Sequence, residues 1–195
     1  TCSLKENKKR LCIICEFNID KIGNINSKIF YRATIKSYRR FTYKDAQEIY
    51  SSRTKSTDNE LLTNLWKAYL SLKISIKKRC PLEIQSKEFD LLVNKNGFIT
   101  KIEPKKIFES HKLVESYMIT ANICAAEMLK NASNPCIFRV HAIPEYEKLH
   151  EAKNMFNSLG IPFNTSGKIK PIIFNKVLEQ YSEKKGDLIN QITMR

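Results

Sequence analysis

The feature that most constrains the fold is the stretch NELLTNLWKAYLSLKISIKKR at positions 59–79. Leu61, Leu62, Leu65, Trp66, Tyr69 and Leu72 recur at helical spacing, so the segment carries an apolar stripe that other parts of the chain must cover. Pro81, which has no backbone N–H to donate, ends it. A second long periodic stretch, HKLVESYMITANICAAEMLKN at 111–131, closes at Asn134-Pro135. With about 100° per residue and Glu115 at the origin, Val114, Met118, Ala121, Ala125 and Met128 fall on one side, the expected core face. Lys112, Ser116, Thr120, Glu127 and Lys130 fall on the other. His111, Glu115 and Asn122 share the boundary. Three polar groups along one stripe are either a solvated edge with satisfied hydrogen bonds or the lip of a site.

The remaining signals mix strands with helices. KRLCIICEFNID alternates as a strand, KIGN is a turn whose loop can extend through Asn26 and Ser27, and KIFYRATIKSY is the second strand. TYKDAQEIY has the form of a helix start, with Thr42 as cap and Asp45 following. LEIQSKEFDLLVNKNGFITKIEP reads as two strands around Asn96-Gly97. CIFRVHA reads as a short strand, and PEYEKLHEAKNMFNSLG as a helix with proline in its first turn and glycine at its end. IIFNKVLEQYSEK and DLINQITMR give two more helices; SSRTKSTDN and NTSGKIKP are loops. No internal repeat or clear linker is present. The expected fold is α+β, with short antiparallel strands packed against amphipathic helices in one unit over residues 1–195.

The charge balance points to a partner. The chain has 34 Lys+Arg against 20 Asp+Glu, a net +14. Residues 1–55 hold 13 basic and 5 acidic residues, a net +8, so more than half of the excess lies in the first third. A general compositional bias toward Lys, Ile and Asn explains such asymmetry poorly, and a polyanion such as nucleic acid explains it well. Lys36, Arg39 and Arg40 form the tightest cluster, IKSYRR.

Six cysteines stand at 2, 12, 15, 80, 124 and 136. Cys12 and Cys15 form a CxxC within a strand pattern, where residues three apart point to opposite faces. No second CxxC or paired histidine completes a zinc site. Reduced, mostly buried thiols in a cytoplasmic compartment are the expectation. No signal peptide is visible, and no apolar run is long enough to span a bilayer, so no membrane partner is expected. The chain opens at Thr1 and stops within a helical pattern at Arg195, which suggests a piece of a longer polypeptide.

Four stretches then carry a resemblance: TCSLKENKKRLCIICEFNIDKIGNI, IKSYRRFTYKDAQ, ESHKLVESYMITANICAAE and CIFRVHAIPEYEKLHEAKNMFNSLGI. In this order they resemble the central part of the catalytic RNB domain of the ribonuclease II/ribonuclease R family, and more its ribonuclease R branch. The resemblance covers essentially the whole chain. It implies processive degradation of single-stranded RNA from the 3′ end to nucleoside monophosphates, with two divalent cations, usually magnesium, flanking the scissile phosphate.

The resemblance also assigns residues. Tyr43 and Glu115 match a tyrosine and a glutamate that select ribose; the 2′-OH is both donor and acceptor, and either side chain can bond to it. Asn122 would orient Glu115 or contact the RNA backbone; the charge cluster, apart from the resemblance, makes Lys36, Arg39 and Arg40 the expected phosphate contacts. Arg139 and His141 are open between phosphate contact and a packed strand. His111 reads as a helix-start residue rather than an acid/base catalyst. Ile84 falls where the family places an aromatic residue that stacks on bases, so that clamp is altered here. The family's metal-binding aspartate cluster lies upstream of a segment like TCSLK, and its arginine motif, roughly HFTSPIRRY, lies downstream of the last helices. No catalytic residue and no metal ligand is therefore expected in this chain, which would need flanking parts of the same enzyme. The alternatives are a non-catalytic RNA-binding module or a structural remnant of a split or decayed gene.

RNA affinity should fall as salt rises, because each neutralised phosphate releases counterions with a log–log slope of about −0.7 for single strands. Replacing Lys36, Arg39 and Arg40 by Gln should flatten that slope in a salt titration; an unchanged slope would remove these three from the interface.

Overall fold

The amino-terminal alternation becomes an antiparallel hairpin of β1 (Lys9–Ile19) and β2 (Ile25–Lys36). This computed structural model describes residues 3–52, 57–82, 84, 88–140, 142–164 and 170–194, with backbone only at 57 and 182–184. Register runs from Lys9 opposite Lys36 to Asn18 opposite Ser27. Asn26 and Ser27 therefore belong to the strand, not the loop, and Asn18 Nδ2 donates to Ser27 Oγ at 2.8 Å. Asp20 holds the turn: its carboxylate accepts from the Ile22 and Asn24 backbone N–H groups, both at 2.9 Å.

The described residues divide into two compact units, Thr1–Lys78 with Ile107–Phe138, and Arg79–Lys106 with Arg139–Arg195. In the first, the hairpin is joined by α1 (Tyr43–Ser52), α2 (Thr57–Lys78) and α3 (Glu109–Asn131). Thr42 and Asp45 cap α1 reciprocally: the Asp45 N–H donates to Thr42 Oγ1 at 3.1 Å, and the Thr42 N–H to Asp45 Oδ2 at 3.2 Å. The stripe on α2 is buried as its spacing requires. Leu62, Trp66 and Tyr69 form a core with Leu113 of α3, and Tyr50 of α1 stacks on Trp66 with ring centroids 4.3 Å apart. Leu61 is an exception, left 53% exposed.

Helix α3 corrects the expected face. Its buried stripe runs through Leu113, Ser116, Thr120 and Cys124, while Val114, Met118 and Met128 are exposed. Burying hydroxyls is tolerated because each has an acceptor one turn back: Ser116 Oγ donates to the Lys112 carbonyl at 2.7 Å, and Thr120 Oγ1 to the Ser116 carbonyl at 2.8 Å.

In the second unit, β3 (Phe89–Val93) and β4 (Ile99–Pro104) form the Asn-Gly hairpin. Asn94 Oδ1 accepts from the Asn96 and Phe98 N–H groups, and Gly97 takes φ +82°. Helix α4 (Tyr146–Ser158) and α5 (Pro171–Met194) enclose a core of Phe156, Ile161, Phe163, Val177, Leu178, Ile189 and Ile192. The two carboxy-terminal helices of the sequence reading meet at Lys185, whose φ of −139° breaks α5. Pro144 lies ahead of α4 rather than in its first turn. The CIFRV stretch at 136–140 is not a strand; among the described residues none pairs with it, and a strand cannot form without a ladder partner. The thiols are also less buried than expected: of the five described, none of them in a disulfide, only Cys124 is buried. Cys15 is half-buried facing Cys124, and burial and that second thiol raise its pKa.

Gly23 anchors the first hairpin. It takes φ +79°, and a Cβ there would lie 2.2 Å from the Ser71 carbonyl oxygen of α2. Gly23→Ala should cost about 2 kcal/mol or more, combining left-handed strain with a backbone clash. Gly97→Ala, with nothing within 4 Å of its Cβ, should cost only the strain of its positive φ, about 1 kcal/mol. Urea unfolding of the two variants checks the ranking.

Candidate functional site

The site is built where the first turns of α1 and α3 meet. Ser110 of α3 makes the junction: its Oγ donates to the Tyr43 carbonyl at 2.7 Å, and its N–H donates to Gln47 Oε1 at 3.2 Å. Ser110 is buried, so these bonds are shielded from water. The junction sets the Tyr43 ring against His111, with centroids 3.9 Å apart and planes 19° from parallel. His111 in turn accepts the Phe108 N–H on Nδ1 at 3.1 Å, and its ring lies 5.8 Å from that of Phe108. That bond satisfies a helix-start donor, as expected for a residue at this position.

Glu115 lies one turn beyond His111 on the same side of α3, and Asn122 two turns further. Both are exposed, opposite the buried Leu113–Ser116–Thr120–Cys124 stripe. Glu115 and Asn122 thus face solvent instead of sitting at the boundary of the core, while His111 is half-buried against Tyr43 and Phe108. Tyr43 is 45% exposed, leaving its phenol available. Tyr43 lies against His111, one turn before Glu115 on α3, a link between segments 68 positions apart that sequence spacing had no means to signal. Phe108, Ser110 and Gln47 were also missed.

The basic cluster immediately precedes α1. Lys36 ends β2 and is exposed. Arg39 is already engaged: it pairs with Asp58 and lies 4.9 Å from the centroid of the Phe41 ring. The Arg40 backbone N–H donates to Glu6 Oε1 at 2.7 Å. Ile84 is half-buried and Arg139 exposed, both in the other unit, and His141 lies outside the described residues.

A charge network flanks the first turn of α3. The buried Tyr69 phenol donates to Glu109 Oε2 at 2.8 Å, and Lys112 and Lys73 stand 3.1 and 3.5 Å from the same carboxylate. Burial and the Glu109 carboxylate hold Tyr69 well above the usual tyrosine range. Burial disfavours charge on Glu109, yet the bonds from Tyr69 and Lys112 prevail and hold its carboxyl below the ordinary value. Among the described residues, no three His, Cys, Asp or Glu side chains gather as metal ligands. The described residues therefore do not fit a divalent cation pair.

A family model described as RNB domain matches residues 1–195. Ribonuclease R of Thermotoga maritima is 32% identical over 187 residues, covering 93% of this chain and 26% of that protein. The chain thus spans about a quarter of the length of the curated relatives it matches. Among solved structures, the apo form of Mycoplasma genitalium RNase R superposes with a TM-score of 0.88 at 22% identity, covering 98% of this chain and 31% of that one. The same protein in complex with ribose methylated single-stranded RNA gives 0.87 at 23% identity, with the same coverage. These likenesses show the α+β fold.

Tyr69→Phe should remove part of what stabilises Glu109. A hydrogen bond to a charged group contributes about 1.5–3 kcal/mol, discounted here to about 1 because the carboxylate is partly solvated. The folded pKa of Glu109 is depressed, so this contribution is present above its ordinary value of 4.5 and lost as pH falls through the lower folded value. Unfolding free energies of both proteins should therefore differ at neutral pH and converge in acid.

Proposed function

Since the chain belongs to the RNB-domain family, we propose that it is the RNA-holding central part of a 3′-to-5′ exoribonuclease that degrades single-stranded RNA to nucleoside monophosphates. Residues 1–195 form one partial RNB domain in this reading, and both compact units belong to it. The enzyme works in the cytoplasm on RNA, and its metal ligands and the arginine of its chemistry come from flanking parts of the same enzyme. Magnesium, when held by those parts, supplies activation of water at the scissile phosphate. This chain's own residues bind and orient the RNA.

The observation that carries the reading is the stacking of Tyr43 on His111, one turn of α3 before the exposed Glu115. The phenol can donate to a 2′-oxygen and the carboxylate can accept the 2′-hydroxyl proton, so the pair reads the group that separates RNA from DNA. Asn122, on the same face of α3, orients the next stretch of backbone. Lys36 and Arg40 meet phosphates. Arg39 contributes less, because its guanidinium is shared with Asp58. Arg139 and Ile84 contact RNA in the other unit, Ile84 by apolar packing in place of an aromatic stack.

Each lost sugar contact should weaken RNA binding by about 0.5–1.5 kcal/mol and leave DNA binding unchanged. Tyr43→Phe, Glu115→Ala and the double variant test this by anisotropy titration with matched RNA and DNA oligonucleotides. An RNA-over-DNA ratio untouched by the double variant sinks the assignment. The 195-residue chain should release no nucleoside monophosphates, with or without magnesium. Metal-dependent release by a preparation free of contaminating nuclease sinks the division of labour between this part and its flanks.

A further inference from the structure

We propose that His111 is a positioning residue for Tyr43, fixing the phenol so that it and Glu115 engage the same ribose. The inference rests on the sugar-reading role of Tyr43 and Glu115 and adds a residue to it. Three observations carry it. The Tyr43 and His111 ring centroids are 3.9 Å apart with planes 19° from parallel, a stacked pair. The His111 ring is itself held, because Nδ1 accepts the Phe108 N–H at 3.1 Å. That bond puts the proton of the neutral ring on Nε2 and fixes the plane against which Tyr43 lies. Finally, His111 and Glu115 are four residues apart on α3, a rise of about 6 Å, which one sugar with its hydroxyls can bridge.

Among the described residues no hydrogen bond orients the side chain of the half-exposed Tyr43; its carbonyl, not its phenol, is what Ser110 holds. Without the His111 face, the ring would lose the stacking contact that restrains its rotation about χ1. His111 thus supplies a wall, while Ser110 and Gln47 fix the backbone behind it.

Three variants test the proposal in the full 195-residue chain. His111→Gln keeps an acceptor for the Phe108 N–H but removes the ring. His111→Phe keeps a ring but removes the acceptor. His111→Ala removes both. The readouts are the NMR shifts of the Tyr43 ring protons and the affinities for a short single-stranded oligoadenylate and its deoxy counterpart. In His111→Gln the ring-current shift of Tyr43 should disappear and the RNA-over-DNA ratio should fall about three- to tenfold, with DNA affinity unchanged. His111→Phe should restore most of both, and His111→Ala should match His111→Gln or exceed it. A purely structural role would lower RNA and DNA affinity together and leave the ratio constant, which overturns the proposal. So does a Tyr43 shift unchanged in His111→Gln. Equal affinity of the unaltered chain for the two oligonucleotides instead overturns the sugar-reading role itself. A lost preference in Tyr43→Phe with an unchanged one in His111→Gln overturns only the part given to His111.

Discussion

The packing of α2 against α1 and α3 is the constraint on which the candidate site depends. Trp66 is the hinge of this arrangement. It is 4% exposed, stacks on Tyr50 of α1, and belongs to the core that includes Leu113 of α3. Aromatic pairs in this geometry add directional preference to their burial, so they set how helices face one another as well as how close they come. Once Tyr50 is held, Tyr43 is placed two turns away on the same short helix. Once Leu113 is held, His111 and Glu115 flank it on α3. The site is a by-product of a hydrophobic contact made one turn deeper in the protein.

The orientation of α3 follows from a second physical rule. Leu113 and Cys124 alone would make a thin apolar stripe, and the side chains of Val114, Met118 and Met128 offer more apolar area. The helix nonetheless buries Ser116 and Thr120. Their hydroxyls bond to carbonyls one turn back, so burial leaves no donor unsatisfied. Small side chains on that face let β1 come close: Phe17 approaches Tyr117 with ring centroids 6.3 Å apart, and Lys28 of β2 pairs with Glu127. The face bearing His111, Glu115 and Asn122 is turned outward as a result.

Electrostatics then grade the basic first third. Its formal +8 is not all available to a polyanion. Lys28 is paired with Glu127 and Arg39 with Asp58, while Lys36 remains exposed at the end of β2. Exposed pairs of this kind contribute little to stability and exchange readily. A phosphate competes for them at the cost of one carboxylate contact, so the cluster is a graded rather than a uniform attractor.

Much of the fold was legible in the sequence because its signals are local. The Asn-Gly turn, the Thr42–Asp45 cap, the alternation in β1 and β2 and the stripe on α2 each depend on residues within a few positions of one another. The break at Lys185 was legible too, as two helical patterns in succession. What failed depended on partners far away in the chain. Residues 136–140 carry strand composition, but a ladder needs a second strand, and composition cannot provide one. The periodicity of α3 showed two faces; which is buried turned on hydroxyls finding acceptors and on how closely β1 approaches. The sequence by itself determined the types of residue at the site, His111, Glu115 and Tyr43, and the helices that carry them. Only the tertiary structure decided that Tyr43 lies on His111, because that contact is set by the Ser110–Tyr43 bond, across 67 positions, and by the Trp66 core, which joins α1, α2 and α3.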